Sequence, residues 1–151
     1  MANSLEYIYN FLQLTPKIGT AGQPTREQFT DIQESQYQLV VNLLPEKTTK
    51  YLPEEKEIVE SYGMDYVQIP VLWEHPTLAD LQRFFEVMDG NKEKNIFVHC
   101  AANMRVSVFL YLYRRLKEGI SEEEAREDLE KIWIPNQVWQ KFIDEVMESF
   151  N

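Results

Sequence analysis

Cys100 and Arg105 carry the chemistry this chain could do. They stand in the stretch Ile96-Phe97-Val98-His99-Cys100-Ala101-Ala102-Asn103-Met104-Arg105-Val106-Ser107. An apolar run ends in His99-Cys100, four residues follow, and Arg105 opens a second, longer apolar segment. That order predicts a strand, a loop and a helix N-terminus. The first N–H groups of a helix have no intrahelical partners and carry partial positive charge, so they form a cradle for an anion. A cysteine in that cradle is favoured as its thiolate. Arginine offers a planar fork that can hold two oxygens of a phosphate. It also stands in the first turn of a helix, where a cation is unfavourable unless an anion answers it. Thiolate, anion cradle and arginine together point to attack by sulfur on a bound oxyanion.

The elements that must hold these residues can be read from periodicity. The chain has 151 residues, of which 44% are hydrophobic and 13% aromatic, and it is expected to form one domain over 1–151 with a substantial core. Ser4 to Leu12 reads as a short amphipathic helix and Ile18 to Gly22 as a short strand. Thr25-x-x-Gln28 is a capping box before a helix burying Phe29 and Ile32. Gln38 to Leu44 is a strand covered on both faces, broken by Asn42, whose amide needs a partner. Bracing the cysteine loop is the expected use of that amide. Pro53 starts a helix that Gly63 ends, and Asp65 to Val71 is the next strand. Thr77 caps a helix running to Gly90, with Leu78, Leu81, Phe84, Phe85 and Met88 on its core face. The helix after Arg105 is apolar almost all round and should be central; Gly119 ends it. Ser121 caps another helix, and Pro135 to Phe150 is a last one, with Val138, Trp139, Phe142, Ile143 and Val146 inward. Trp133, Trp139 and Phe142 read as core. Strands alternating with helices predict a three-layer α/β sandwich with a mainly parallel central sheet. Ligands of such sheets bind beyond the carboxyl ends of the strands, where Cys100 stands.

A net charge of −10 argues against nucleic acid or an anionic membrane as partner. One cysteine forbids an internal disulfide and fits a reducing compartment. Neither a signal peptide nor a membrane-spanning run is visible, so a cytoplasmic protein is expected. No metal-ligand cluster or cofactor motif stands out, and the sequence leaves the oligomeric state open. The acidic runs Glu54-Glu55 and Glu122-Glu123-Glu124 fall at helix starts and are read as structural.

His99-Cys100 with Arg105 and Ser107 resembles the signature loop of the cysteine-dependent protein tyrosine and dual-specificity phosphatases. Ala21-Gly22-Gln23-Pro24-Thr25, Val40-Val41-Asn42-Leu43 and Ile69-Pro70-Val71 are similar to the bacterial beta-lactamase-hydrolase-like branch of that superfamily. The resemblance runs from about Lys17 to about Lys117. It implies hydrolysis of phosphate monoesters on a phosphorylated small molecule or phosphoprotein, through a cysteinyl-phosphate on Cys100. Ala101, Ala102, Asn103, Met104 and Arg105 would cradle the phosphate, with His99, Ser107 and Asn42 in support.

The family loop has five residues between cysteine and arginine, and here there are four. Without a gap Ser107 takes the place of the family's hydroxyl; with one, Arg105 fits and Val106 replaces that hydroxyl. Asn103 stands where glycine is usual, and asparagine tolerates the left-handed conformation. The family's general acid is an aspartate from the loop after Ile-Pro-Val, which here reads Leu72-Trp73-Glu74-His75-Pro76. Glu74 is the nearest substitute and His75 the second. Two other readings stay open. One is a phosphate- or phosphoprotein-binding module without turnover. The other is a rhodanese-like sulfurtransferase, whose loop is also short.

Overall fold

The fold was determined as a computed structural model describing residues 2–150. Five strands make one sheet: β1 (Leu12–Thr15), β2 (Ile18–Ala21), β3 (Leu39–Asn42), β4 (Asp65–Gln68) and β5 (Ile96–His99). Their order is β1-β2-β5-β3-β4. Only β1 runs antiparallel to its neighbour; β2, β5, β3 and β4 are parallel. The helices are α1 (Gln28–Glu34), α2 (Glu55–Ser61), α3 (Leu78–Asp89), α4 (Met104–Leu116), α5 (Glu122–Glu130) and α6 (Gln137–Ser149), preceded by a 3-10 helix over Ala2–Tyr7.

Alternation along the strands sorts the core into two layers. Leu39, Val41, Ile96 and Val98 face α3, α4, α5 and α6. Val40 and Phe97 face α1, α2 and the 3-10 helix, with Phe29, Ile32, Ile58 and Val59. Burying each such large side chain is worth about 1.5–3 kcal/mol, so both layers hold the sheet firmly. The same alternation continues past the strand end. His99 follows Phe97 into the α1–α2 layer, and Cys100 follows Val98 into the opposite one. Adjacent residues therefore serve opposite faces.

The expected caps are present. Thr77 Oγ1 accepts from Asp80 N–H at 3.1 Å, and Ser121 Oγ accepts from Glu124 N–H at 3.2 Å. Thr25 and Gln28 exchange their two bonds, at 2.9 and 3.3 Å, around a turn that precedes the α-helix starting at Gln28. Gly63 and Gly119 end their segments at φ +80° and +69°.

Three expectations fail. The first helix is a 3-10 turn that stops before Asn10, which takes a φ of +52°, and Leu12 belongs to β1 instead. Leu12, Gln13, Leu14 and Thr15 alternate at the period of a strand, and Leu12 lends its carbonyl to Thr20 Oγ1 at 2.8 Å. Leu78, in the first turn of α3, is 38% exposed, and Val138, likewise at the start of α6, is 42% exposed. Trp139, next to Val138, is already wholly buried, so Val138 stands on the outward side of α6.

Candidate active site

Strand β5 delivers Cys100 to the carboxyl edge of the sheet, flanked by β2 and β3. The chain then turns through Ala101, Ala102 and Asn103 into α4. Asn103 is the residue before the helix and has φ +67°, the left-handed conformation the turn requires. Its amide donates to Asn10 O and Thr20 Oγ1, both at 2.9 Å, which fixes the bend. The loop carbonyls point away from the cradle. Ala101 O accepts from Gln23 N–H at 3.0 Å, and Ala102 O accepts from the Asn10 side chain at 3.0 Å. The first intrahelical bond is Ser107 N–H to Asn103 O, at 2.9 Å. The N–H groups of Met104, Arg105 and Val106 precede it and are the orphan donors of a helix start.

Cys100 is wholly buried and Arg105 is 6% exposed. Burial pushes the Arg105 guanidinium below its ordinary pKa, while the charge of Cys100 and a hydrogen bond to it work the other way. The guanidinium also lies 5.3 Å from the centre of the Trp73 ring. Its Nε is buried without a hydrogen-bond partner. A buried cation with an unused N–H and no described carboxylate beside it is a costly arrangement that an incoming oxyanion would relieve.

Trp73 is held in place by its neighbours. It lies 5.4 Å from Trp133 and 5.7 Å from Trp139, ring centre to ring centre, and its carbonyl accepts from Trp139 Nε1 at 2.8 Å. Trp133 and Trp139, read as core, therefore also back the Trp73 ring that roofs Arg105. Nothing in the sequence marked Trp73 apart from the loop it stands in.

The supporting residues are placed differently from expectation. Ser107 does not reach the thiol: its Oγ donates to Met104 O at 2.7 Å and accepts from Trp133 Nε1 at 3.0 Å. Asn42 shares the face of Val40, so its amide stays away from the cysteine loop. It donates to Tyr66 Oη at 3.0 Å and accepts from Leu44 N–H at 2.9 Å. Glu74 is exposed and lines a groove with His75, Pro76, Lys141 and Phe142, rather than resting on Cys100 or Arg105.

Glu55 stands in the first turn of α2, as the acidic run implied, and meets a partner there that the sequence did not show. It is wholly buried, as is His99, and His99 Nε2 lies 2.5 Å from Glu55 Oε2. Gln23 Nε2 donates to Glu55 Oε1 at 2.8 Å. Elsewhere, among the described residues, no three of His, Cys, Asp and Glu converge as metal ligands.

Comparison with known proteins shows the family and the fold. The family described as DSP-PTPase phosphatase fused to NAD+ kinase matches residues 15–141, most of the chain. The chain belongs to the DSP-PTPase phosphatase family. It is similar to the beta-lactamase hydrolase-like protein of Xylella fastidiosa, with 26% identity over 124 residues, 80% of this chain and 28% of that one. The chain thus spans under a third of that relative. The DUF442 protein of Shewanella putrefaciens superposes with a TM-score of 0.88 at 33% identity, covering 100% of this chain and 99% of the other. The core catalytic domain of a PP-IP phosphatase from S. cerevisiae, in complex with citrate, shares the fold. Its TM-score is 0.77 at 19% identity, over 91% of this chain and 85% of that one. Membership sets the chain with the phosphatases rather than the sulfurtransferases.

Within this phosphatase fold, Gly22 is the residue that lets the Gly22-Gln23 segment lie against the cysteine loop. A Cβ there would stand 2.5 Å from Ala101 O and 2.7 Å from the Tyr9 ring. Gly22→Ala must displace the loop backbone. The expected result is a loss of about 1–3 kcal/mol in stability together with a disproportionate loss of oxyanion affinity. Chemical denaturation and phosphate-analogue titration, run in parallel, check both.

Proposed function

We propose that the chain is one cytoplasmic phosphatase domain that hydrolyses phosphate monoesters through Cys100. The supporting observation is the meeting of the Cys100 thiol and the buried, incompletely bonded Arg105 guanidinium at the N-terminus of α4. The substrate phosphate takes the place of the thiol as partner of Arg105, with its oxygens on the guanidinium and on the N–H groups running from Ala101 to Arg105. Cys100 sulfur attacks phosphorus in line, the bond to the ester oxygen breaks, and that oxygen leaves with a proton. Water then attacks phosphorus, the sulfur–phosphorus bond breaks, and the thiolate is restored. Substrates of this class are a phosphorylated small molecule or a phosphoprotein.

Glu74 is the proposed proton donor to the leaving oxygen. It adjoins Trp73, the roof over Arg105, and serving as donor requires the Leu72–Pro76 loop to move and turn it toward the site. A general acid contributes about 10²–10⁴-fold and must be protonated to act. Activity should therefore fall as pH rises, and Glu74→Gln should lower kcat on an alkyl phosphate while removing that basic limb. An unchanged rate and limb would remove Glu74 from the mechanism.

The exposure of Glu74 favours a second reading, an oxyanion-binding module without turnover. Hydrolysis of an aryl phosphate across pH separates the two. Turnover supports the enzyme; vanadate or phosphate binding without turnover supports the module.

A further inference from the structure

We propose that the groove along α6 docks a second copy of this chain, with the two α6 helices antiparallel about a two-fold axis. The proposal goes beyond the phosphatase reading and does not depend on it.

The exposed apolar surface is gathered in one region. Tyrosines aside, the exposed large apolar side chains among the described residues are Leu72, Leu78, Ile134, Val138 and Phe150. Each belongs to α6, to a residue flanking it, or to the Leu72–Leu78 segment. That segment and α6 form the two walls of a groove. Its two parts share Pro76, Phe142 and Glu145; Val138 and Lys141 line one part, Leu78 and Ser149 the other. Single apolar residues on a surface mean little, but a continuous patch rimmed by polar groups marks an interaction site.

The charges on the groove say what covers it. Lys141 and Glu145 are both exposed, one helical turn apart on the same strip of α6. Lysine before glutamate is the weaker order for a pair within one helix. On the next strip Gln140 donates to Asp144 at 3.0 Å, whereas Lys141 and Glu145 make no such bond among the described residues. Both charges are therefore free to meet a partner that presents the same two in reverse order. A second copy run antiparallel does so. Lys141 meets the partner's Glu145, and Glu145 meets the partner's Lys141. The same two-fold sets the Val138 end of each groove against the Leu78 end of the other, so the apolar ends cover each other. This is the self-complementarity that a two-fold interface requires. A parallel copy would set lysine beside lysine. On the opposite wall Glu74 and His75 stand at the Val138 end and leave the order of Lys141 and Glu145 unchanged. The net charge of −10 opposes association of two copies in general, so the contact depends on where opposite charges stand.

Sedimentation of the full chain across concentration, with charge reversal, tests this. The wild type is expected to pass from 17.9 kDa to twice that mass as concentration rises. Lys141→Glu turns both contacts into repulsion between glutamates, and Glu145→Lys turns both into repulsion between lysines. Each should weaken the dimer by about tenfold or more. The first makes the chain more acidic and the second less, so a loss shared by both is local. Both positions are exposed, and circular dichroism checks that the fold is kept. An equimolar mixture of the two variants should regain wild-type association, because in the mixed pair every contact is again between opposite charges. The double variant should do the same. A wild type that stays monomeric at every concentration overturns the proposal and leaves the groove to another kind of partner. A dimer that neither single change weakens also overturns it, since the interface then lies elsewhere. So does a mixture that associates no better than the separate variants, because charge pairing would not then explain the losses.

Discussion

Cys100→Ser is expected to abolish hydrolysis of an aryl phosphate, with a loss of about 10⁴-fold or more in kcat. The change is nearly isosteric at a wholly buried position, so the fold should persist. Serine needs a base to become a nucleophile, and none is placed to serve. His99 faces the opposite layer and is engaged by Glu55, and Ser107 is bonded within α4. The cradle itself does not need the sulfur. Arg105 and the α4 N-terminus should still hold vanadate or phosphate in the variant. Steady-state kinetics with circular dichroism and an anion titration check the three parts together. A serine variant retaining activity within about tenfold of wild type would place the nucleophile elsewhere.

The second large effect belongs to Arg105. In the proposed mechanism its guanidinium grips two phosphate oxygens as charge develops, and removal of such a donor costs about 10²–10³-fold in kcat. Arg105→Lys should lose most of that, because an ammonium is a point charge without the planar fork and stacks less well on Trp73. Arg105→Met separates function from stability. The wild-type guanidinium is buried with Nε unpartnered, so a neutral chain of similar volume should leave the melting temperature unchanged or raise it while activity falls. Calorimetry beside kinetics reads both. Activity near wild type in both variants would show that phosphate binds without Arg105.

The contrast between what could and could not be read from sequence follows from distance along the chain. The strand, loop and helix around Cys100 are contiguous, so their order was visible from residue types alone. Thr77 and Ser121 announced their helices because a cap acts over three residues. Asn103 was readable as a left-handed turn because that tolerance is intrinsic to the residue. Glu55 was not readable. A glutamate in an acidic run at a helix start looks the same whether it meets water or a histidine 44 positions away, and only the packing of α2 on β5 decides. Gln23 was visible as part of a family motif, but its use, a bond to Glu55, needed the same long-range contact. Ser107 and Asn42 were placed in sequence beside the right elements and turned to the wrong side of them. Strand parity settles Asn42, since it shares the face of Val40 and Tyr66 rather than of Cys100. A helical serine has two competing partners close by, Met104 O and Trp133, and takes both. The missed strand β1 did carry a signal, the alternation of Leu12, Gln13, Leu14 and Thr15, hidden by the helical spacing of Leu5, Ile8 and Leu12.

The claim that everything else depends on is a covalent bond between phosphorus and the one sulfur of Cys100. Acid quenching during turnover of an aryl phosphate, followed by intact-mass and peptide analysis, tests it directly. The expected result is a single added phosphoryl group on the peptide containing Cys100 in the wild type, more abundant in Glu74→Gln if that residue also serves the hydrolytic step, and absent in Cys100→Ser. Steady turnover with no phosphoryl adduct at any quench time, undiminished by the serine change, would contradict it.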